Sequence, residues 1–170
     1  MKNGKSFLFW TLACWMMLTG VGRAETSIDQ VFRSLVSGQR PLEDLQIVYE
    51  IGNPDFRGKN MLELSGNGSI KLEHSETGKI KKFTGKVTEK SILTLLNEME
   101  KASFWTFRSA AGSRQPDAAE ITIRVTTRQG DLNFETTFLE TEAMRSRQLR
   151  TMVRIFKTLL REVSAGEILA

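Results

Sequence analysis

The sequence predicts an α+β fold: a two-layer sandwich in which a mainly antiparallel sheet of about five to six strands packs against two amphipathic helices on one face. Three observations lead to this prediction. Short segments with alternating apolar and polar residues lie on both sides of a central helical segment. A Gly-Asn-Gly turn at 66–68 and a Gln-Gly-Asp turn at 129–131 join such segments into hairpins, which makes the sheet antiparallel. Residues 88–102 and 141–163 place their apolar side chains on one helical face, which a sheet can cover.

The first 24 residues have the pattern of a secretory signal peptide. Lys2 and Lys5 precede an apolar run at 7–18, and Gly22 and Ala24 are the small residues that favour cleavage after position 24. The run is too short to span a bilayer comfortably. We therefore expect cleavage near Ala24, a periplasmic or secreted location, and no transmembrane span in the mature chain.

Cys14 is the only cysteine and lies inside this apolar run. Its lipidation and retention of the segment as an anchor are the alternatives to simple cleavage, although Thr11 stands where a lipidation signal needs an aliphatic residue. Removing residues 1–24 leaves 21 basic and 20 acidic residues, so the charge of +4 belongs mostly to the leader. This balance gives no support to nucleic-acid binding, and a mature chain without cysteine has no disulfide and no thiolate.

The mature chain is predicted to consist of an N-terminal helix and linker at 25–41 and a single α+β domain at 42–170. Ser27 and Gln30 match a capping box at the start of the helix. The glycine and proline of 37–41 end it. One face of this helix is apolar and comprises Ile28, Val31, Phe32 and Leu35.

Four strands are predicted before the central helix. The turn-forming residues of 52–58 separate the first strand from the second, and the Gly-Asn-Gly turn separates the second from the third. The fourth is strongly basic, which predicts an edge strand because lysines discourage pairing with another chain. The predicted strands lie at 45–51, 61–65, 70–74 and 79–83.

The central helix at 88–102 is the element against which we expect the strands to fold. Thr88 can cap its first turn. Phe104, Trp105 and Phe107 follow it, and we expect them to close one end of the core, with an exposed anchor for a partner as the alternative. The apolar face of the helix comprises Ile92, Leu95, Leu96, Met99 and Ala102.

A polar spacer at 108–120 leads to a second hairpin, with strands at 121–126 and 132–138, and then to the final helix at 141–163. Gly166 is the stop signal of this helix. Its apolar face comprises Leu149, Met152, Val153, Phe156, Leu159, Leu160 and Val163.

We predict a non-enzymatic protein with no catalytic residue, no cofactor and no metal. His74 is the only histidine, and a single histidine without cysteine makes a poor transition-metal site, so we interpret it as an exposed strand-end residue. The sequence has no nucleophile elbow, phosphate-binding loop or zinc-protease motif. The carboxylates in predicted loops and turns have no spacing that brings two of them together: Asp44, Asp55, Asp117 and Asp131.

Five basic residues form a stripe along the final helix. They occupy one narrow sector beside the apolar face, and like charges one turn apart repel, so helix stability alone does not favour them. Two interpretations are open: contact with an anionic partner such as lipid headgroups, polysaccharide or an acidic protein, or a solvated face whose side chains pair with sheet carboxylates such as Glu135 or Glu140. The stripe consists of Arg147, Arg150, Arg154, Lys157 and Arg161.

Phe56 is a second candidate binding residue. It lies between Asp55 and Arg57 on a loop that is framed by glycine and proline. An apolar side chain at such a loop tip can enter the cleft of a partner. The alternative is that Phe56 folds back over the end of the sheet.

From Asp44 to Val163 the order of elements resembles that of emfourin-type domains and related small secreted domains of unknown function. The resemblance implies inhibition of a metalloprotease through protein contact, although the export signal and the extra N-terminal helix depart from that family. The matching residues are Val48-Tyr49-Glu50 with Gly52, Gly66-Asn67-Gly68, Leu95-Leu96 with Phe104-Trp105, and Asp117 before Ile121.

The expected function is that of an exported, non-enzymatic binding or accessory domain that acts through contact with a protein partner. The alternatives are an envelope-associated protein that binds anionic surfaces through its basic C-terminal helix, and a protease inhibitor. All three use surface contact rather than chemistry.

Overall fold

The computed structural model describes residues 28–53, 58–107, 118–130, 132–166 and 168. Its centre is one six-stranded sheet in which every neighbouring pair of strands is antiparallel. The strand order is β4-β3-β2-β1-β5-β6. The strands are β1 (Leu45–Asn53), β2 (Gly58–Ser65), β3 (Ser69–Glu76), β4 (Lys79–Lys86), β5 (Glu120–Thr127) and β6 (Asn133–Leu139).

Helices cover one face of this sheet, which confirms the predicted α+β sandwich. The two long amphipathic helices pack against each other, and the N-terminal helix packs against the first of them. Single 3-10 turns precede β1 and follow the central helix. The helices are α1 (Ile28–Val36), α2 (Glu89–Ala102), α3 (Glu140–Arg145) and α4 (Arg147–Val163).

The core lies between the sheet and α2 and α4. Tyr49 in the middle of β1 pairs with Leu62 on one side and Ile123 on the other, and all three side chains are buried. The ring of Phe156 from α4 stacks on Tyr49 at 4.3 Å, with the planes 9° apart. Alternate residues of the same strands therefore form an open sheet face on the other side.

The aromatic residues after α2 belong to the core rather than to an exposed anchor. The chain turns at Ser103, whose φ of 44° is left-handed. Phe104 is then fully buried, in edge-on contact with Phe32 of α1 and Phe134 of β6. This cluster ties α1 and the end of α2 to the β6 side of the sheet.

The hairpin between β2 and β3 is held against the start of β1. Gly66 donates a backbone hydrogen bond to the Leu45 carbonyl. A Cβ added to Gly66 would lie 1.5 Å from the Leu42 carbonyl oxygen, so only glycine fits there. Gly68 has φ +85° and accepts from the Val87 amide, which anchors the chain just before α2.

The strand β4 is an edge strand, as its lysines predicted. It continues to Lys86, beyond the predicted end at residue 83. The reason is that Gly85 stays paired with Ile70 while a methyl of Val163 from α4 packs over it.

The prediction of one continuous helix at 141–163 was wrong, because the segment forms α3 and α4 with a break at Ser146. Ser146 has extended backbone angles, and its hydroxyl accepts from the Leu149 amide. A serine that caps a new helix competes with continuation of the old one.

None of the helices in the described part of the chain has both the length and the apolar composition that a membrane span requires.

Candidate functional site

The basic stripe runs along one flank of α4. At 100° and 1.5 Å per residue, its five members fall within a sector about 80° wide and a length of about 21 Å. The opposite side of α4 is buried against the sheet, so the helix backbone that bears the stripe is fixed by the core. The stripe is therefore a straight row of cations on a rigid support.

Lys157 differs from the other four members. Its Nζ lies 2.8 Å from Oε1 of Glu140, the first residue of α3, and both side chains are only 26% exposed. Glu140 directly follows β6, so this ion pair ties α4 to the end of the sheet. The charge of Lys157 is neutralised in place, as one of the two sequence interpretations requires.

The four arginines are exposed. Within the part of the chain that the structure describes, no carboxylate lies within ion-pair distance of Arg147, Arg150, Arg154 or Arg161. Glu135, which was considered as a possible partner, instead accepts from Arg124 across the β5–β6 pair at 2.6 Å. Folding thus gives these four guanidinium groups no partner among the described residues.

The flank of α4 that faces α2 borders a groove. Its volume is about 380 Å³, and sequence reasoning missed it because it arises only when two helices that are distant in the chain pack side by side. Arg154 lines this groove and belongs to the stripe as well. The other lining residues are Lys90, Ser91, Thr94, Thr151, Ile155, Thr158, Leu159 and Glu162.

Two further clefts lie elsewhere. One of about 470 Å³ is bounded by the linker at 36–43, the β2–β3 turn and the start of α2. The other, of about 340 Å³, lies at the end of the sheet where Asn53 of β1 pairs with Gly58 of β2. Neither cleft contains a residue of the stripe.

The prediction of an exposed strand-end position for His74 was wrong, because His74 is half-buried within β3, where it pairs with Asn60 and Lys81. Its Nδ1 is 2.7 Å from Oδ1 of Asn60, and its Nε2 is 3.5 Å from a carboxylate oxygen of Glu76. These neighbours fix the imidazole ring. Among the described residues, no group of three or more His, Cys, Asp or Glu side chains could hold a metal ion.

The hydroxyl of Tyr49 is buried and has no hydrogen-bond partner among the described residues. Burial raises the pKa of Tyr49 far above its ordinary value, and the nearby negative charge of Glu140 raises it further. The phenol therefore stays neutral and serves as an apolar ring under Phe156.

Phe56 lies outside the described residues, as do Asp55, Asp117 and Asp131. Asp44 is described, and one of its carboxylate oxygens accepts from the Gln129 side chain at 2.9 Å. That contact joins the start of β1 to the β5–β6 turn.

No family model matches this chain, and comparison with curated proteins found no match. The resemblance to emfourin-type domains, and the protease inhibition it implies, therefore stay predictions.

Proposed function

We propose that this protein is an exported binding domain that attaches to an anionic surface of the cell envelope through the basic stripe of α4. One observation supports this most directly. Four exposed arginines form a row on one flank of a packed helix, and no described carboxylate neutralises them. Mutual repulsion makes such a row slightly unfavourable for the helix alone, so a ligand is the better reason for it.

Arginine suits an array of phosphates. Its planar guanidinium binds phosphate or carboxylate oxygens in pairs, whereas lysine acts as a point charge. Because the other side of α4 is already packed, binding orders only the arginine side chains and not the backbone.

The binding free energy that the stripe can provide is modest. Each basic residue near an anionic membrane contributes about 1 kcal/mol, so the four arginines together give about 4 kcal/mol. That corresponds to a dissociation constant of about 1 mM. The stripe alone therefore predicts reversible attachment that a second contribution must strengthen.

Binding to vesicles tests the stripe. Residues 25–170 should sediment with phosphatidylglycerol vesicles and not with phosphatidylcholine vesicles. The attachment should weaken steeply with salt, because screening shortens the range of charge interactions from about 10 Å at 0.1 M to about 3 Å at 1 M. Equal binding to both vesicles, or binding that salt does not change, would contradict the proposal.

Export is tested separately. The pattern of residues 1–24 supports it, and the mass of the protein recovered outside the cytoplasm should match a chain that begins at Glu25. Recovery of the uncleaved chain from the cytoplasm alone would contradict it. If export is observed without vesicle binding, a crosslinking pull-down from the envelope tests the other reading, an acidic protein partner.

A further inference from the structure

We propose that the groove between α2 and α4 binds the alkyl chain of an anionic amphiphile whose headgroup is held by Arg154. The inference rests on the proposed function, since Arg154 belongs to the stripe. It narrows the partner from any anionic surface to one made of lipid-like molecules.

The groove has the size and lining of a small-molecule site. Its volume of about 380 Å³ lies within the range of about 300–1,000 Å³ that is usual for such sites. Ile155 and Leu159 provide its apolar side chains, and Ile155 is partly exposed there. An apolar strip of this kind on an otherwise charged helix surface is what a hydrocarbon chain can cover.

Three threonines make the lining more apolar than the sequence suggests. The hydroxyls of Thr94, Thr151 and Thr158 each donate to a carbonyl one turn earlier in their own helix, at 2.8 to 3.1 Å. Their hydrogen-bonding capacity as donors is thereby used within the helix. What these residues offer to a ligand is chiefly their methyl groups.

The charges at the rim orient the ligand. Along α4, Thr151 and Arg154 line one end of the groove and Glu162 lines the other. Glu162 repels an anionic headgroup, whereas Arg154 and, from α2, Lys90 attract it. Of these two cations only Arg154 belongs to the stripe, which Arg150 and Arg147 continue beyond it. The alkyl chain then extends from Arg154 past Ile155 and Thr158.

The groove and the arginines together distinguish an anionic amphiphile from other anionic partners. A sulfated polysaccharide or an acidic peptide matches the arginines but leaves the exposed part of Ile155 uncovered. An anionic amphiphile contacts the arginines and also covers Ile155, and burial of its chain supplies the contribution that the four arginines lack.

Titration with alkyl phosphates tests the assignment. The purified processed protein is titrated with inorganic phosphate, butyl phosphate and dodecyl phosphate below its micelle concentration, with affinity and backbone amide shifts as readouts. We expect affinity to rise about two- to four-fold per added methylene until the groove is filled. The shifts should centre on the groove residues of α2 and α4.

A matched pair of variants tests whether the alkyl chain binds in the groove. Ile155→Gln should remove most of the dependence on chain length while leaving the binding of inorganic phosphate unchanged. Ile80→Gln is the control, because Ile80 is 62% exposed on β4, does not line the groove, and undergoes the same chemical change. Circular dichroism checks that both variants fold.

Two results would overturn the inference: equal affinity for butyl and dodecyl phosphate, or equal loss of the chain-length dependence in both variants. Either result leaves the proposed function intact if the protein still shows salt-sensitive binding to anionic vesicles. If it does not bind such vesicles, both the inference and the proposed function are contradicted.

Discussion

The open face of the sheet and the basic stripe on α4 both have many charges, but the charges are arranged differently. On the open face, three cations form ion pairs with carboxylates of neighbouring strands. On α4, four cations follow one another with no described carboxylate among them. The pairs on the open face are Lys82–Glu73, Lys59–Glu50 and Arg124–Glu135.

The comparison distinguishes charges that are paired within the protein from charges that have no partner among the described residues. Three pairs on the open face neutralise their charges within the protein; the carboxylate of Glu73, for example, accepts a hydrogen bond from Lys82 and raises the pKa of that lysine. Exposed pairs of this kind contribute little to stability, but they leave little net field for a ligand. The four arginines of the stripe form no ion pair with a described residue that could stabilise the fold, and no described carboxylate neutralises their charge. Lys157, held by Glu140, marks the boundary between the two arrangements.

Reversing two charges of the stripe should have the largest effect. Arg150→Glu combined with Arg154→Glu replaces two attractions by two repulsions, about 4 kcal/mol, so affinity for phosphatidylglycerol vesicles should fall about 1,000-fold. Vesicle sedimentation measures it. Thermal stability should stay the same or rise slightly, because repulsion along the helix is relieved.

The matched control is Lys86→Glu combined with Arg128→Glu. Both residues are exposed and lie outside the stripe, and the net charge changes by the same amount. If this control loses as much affinity as the stripe variant, then net charge and not the arrangement governs binding.

The buried phenol of Tyr49 should limit stability at alkaline pH. Its folded pKa is raised, whereas the unfolded chain titrates near 10. Stability is therefore fully present below about pH 10 and falls above it, because only the unfolded state releases the proton. Tyr49 is the only tyrosine, so phenolate absorbance should appear together with unfolding and not before it.

Tyr49→Phe is the companion variant. It removes a buried hydroxyl that has no partner among the described residues, so it should be neutral or stabilising by about 1 kcal/mol at neutral pH and should resist alkali better. Phenolate absorbance in the folded wild-type protein would show that the hydroxyl reaches water.

Glu140→Gln should leave the ammonium group of Lys157 without its ion-pair partner. The stripe then gains a fifth free cation, worth about 1 kcal/mol, and vesicle affinity should rise about five-fold. Stability should fall by about 1 kcal/mol, because the half-buried ammonium loses its partner. Unchanged affinity at reduced stability would mean that Lys157 does not reach the membrane surface.

Arg124→Gln should have the smallest effect. It breaks the exposed pair with Glu135, which costs no more than about 1 kcal/mol of stability. Vesicle affinity should stay within about two-fold of the wild-type value, because the proposed binding surface is the stripe and not the open face. A loss comparable to that of the stripe variant would erase the distinction between the two faces.

Local sequence patterns were enough to predict much of the fold. Turn residues predicted both hairpins, apolar periodicity predicted α2 and the apolar face of α4, and the lysines of β4 predicted its edge position. The apolar face assigned to the final helix began only at Leu149, so periodicity did not report the break at Ser146, where a single hydroxyl caps a new helix.

The candidate site was only partly predictable. The sequence shows the five cations of the stripe, but the pairing of Lys157 with Glu140 depends on how α4 lies beside the end of β6. The groove depends on α2 and α4, which are some fifty residues apart in the chain, lying side by side. Such features arise from tertiary packing, which periodicity along one segment does not report.

Arginine footprinting tests most directly whether the stripe is the binding surface. The processed protein is modified with a dicarbonyl reagent, with and without phosphatidylglycerol vesicles, and each arginine is quantified by mass spectrometry. We predict protection of Arg147, Arg150, Arg154 and Arg161, with no change at Arg33 and Arg128. Protection of Arg128 while the four α4 arginines stay reactive would contradict the claim that the stripe is the binding surface.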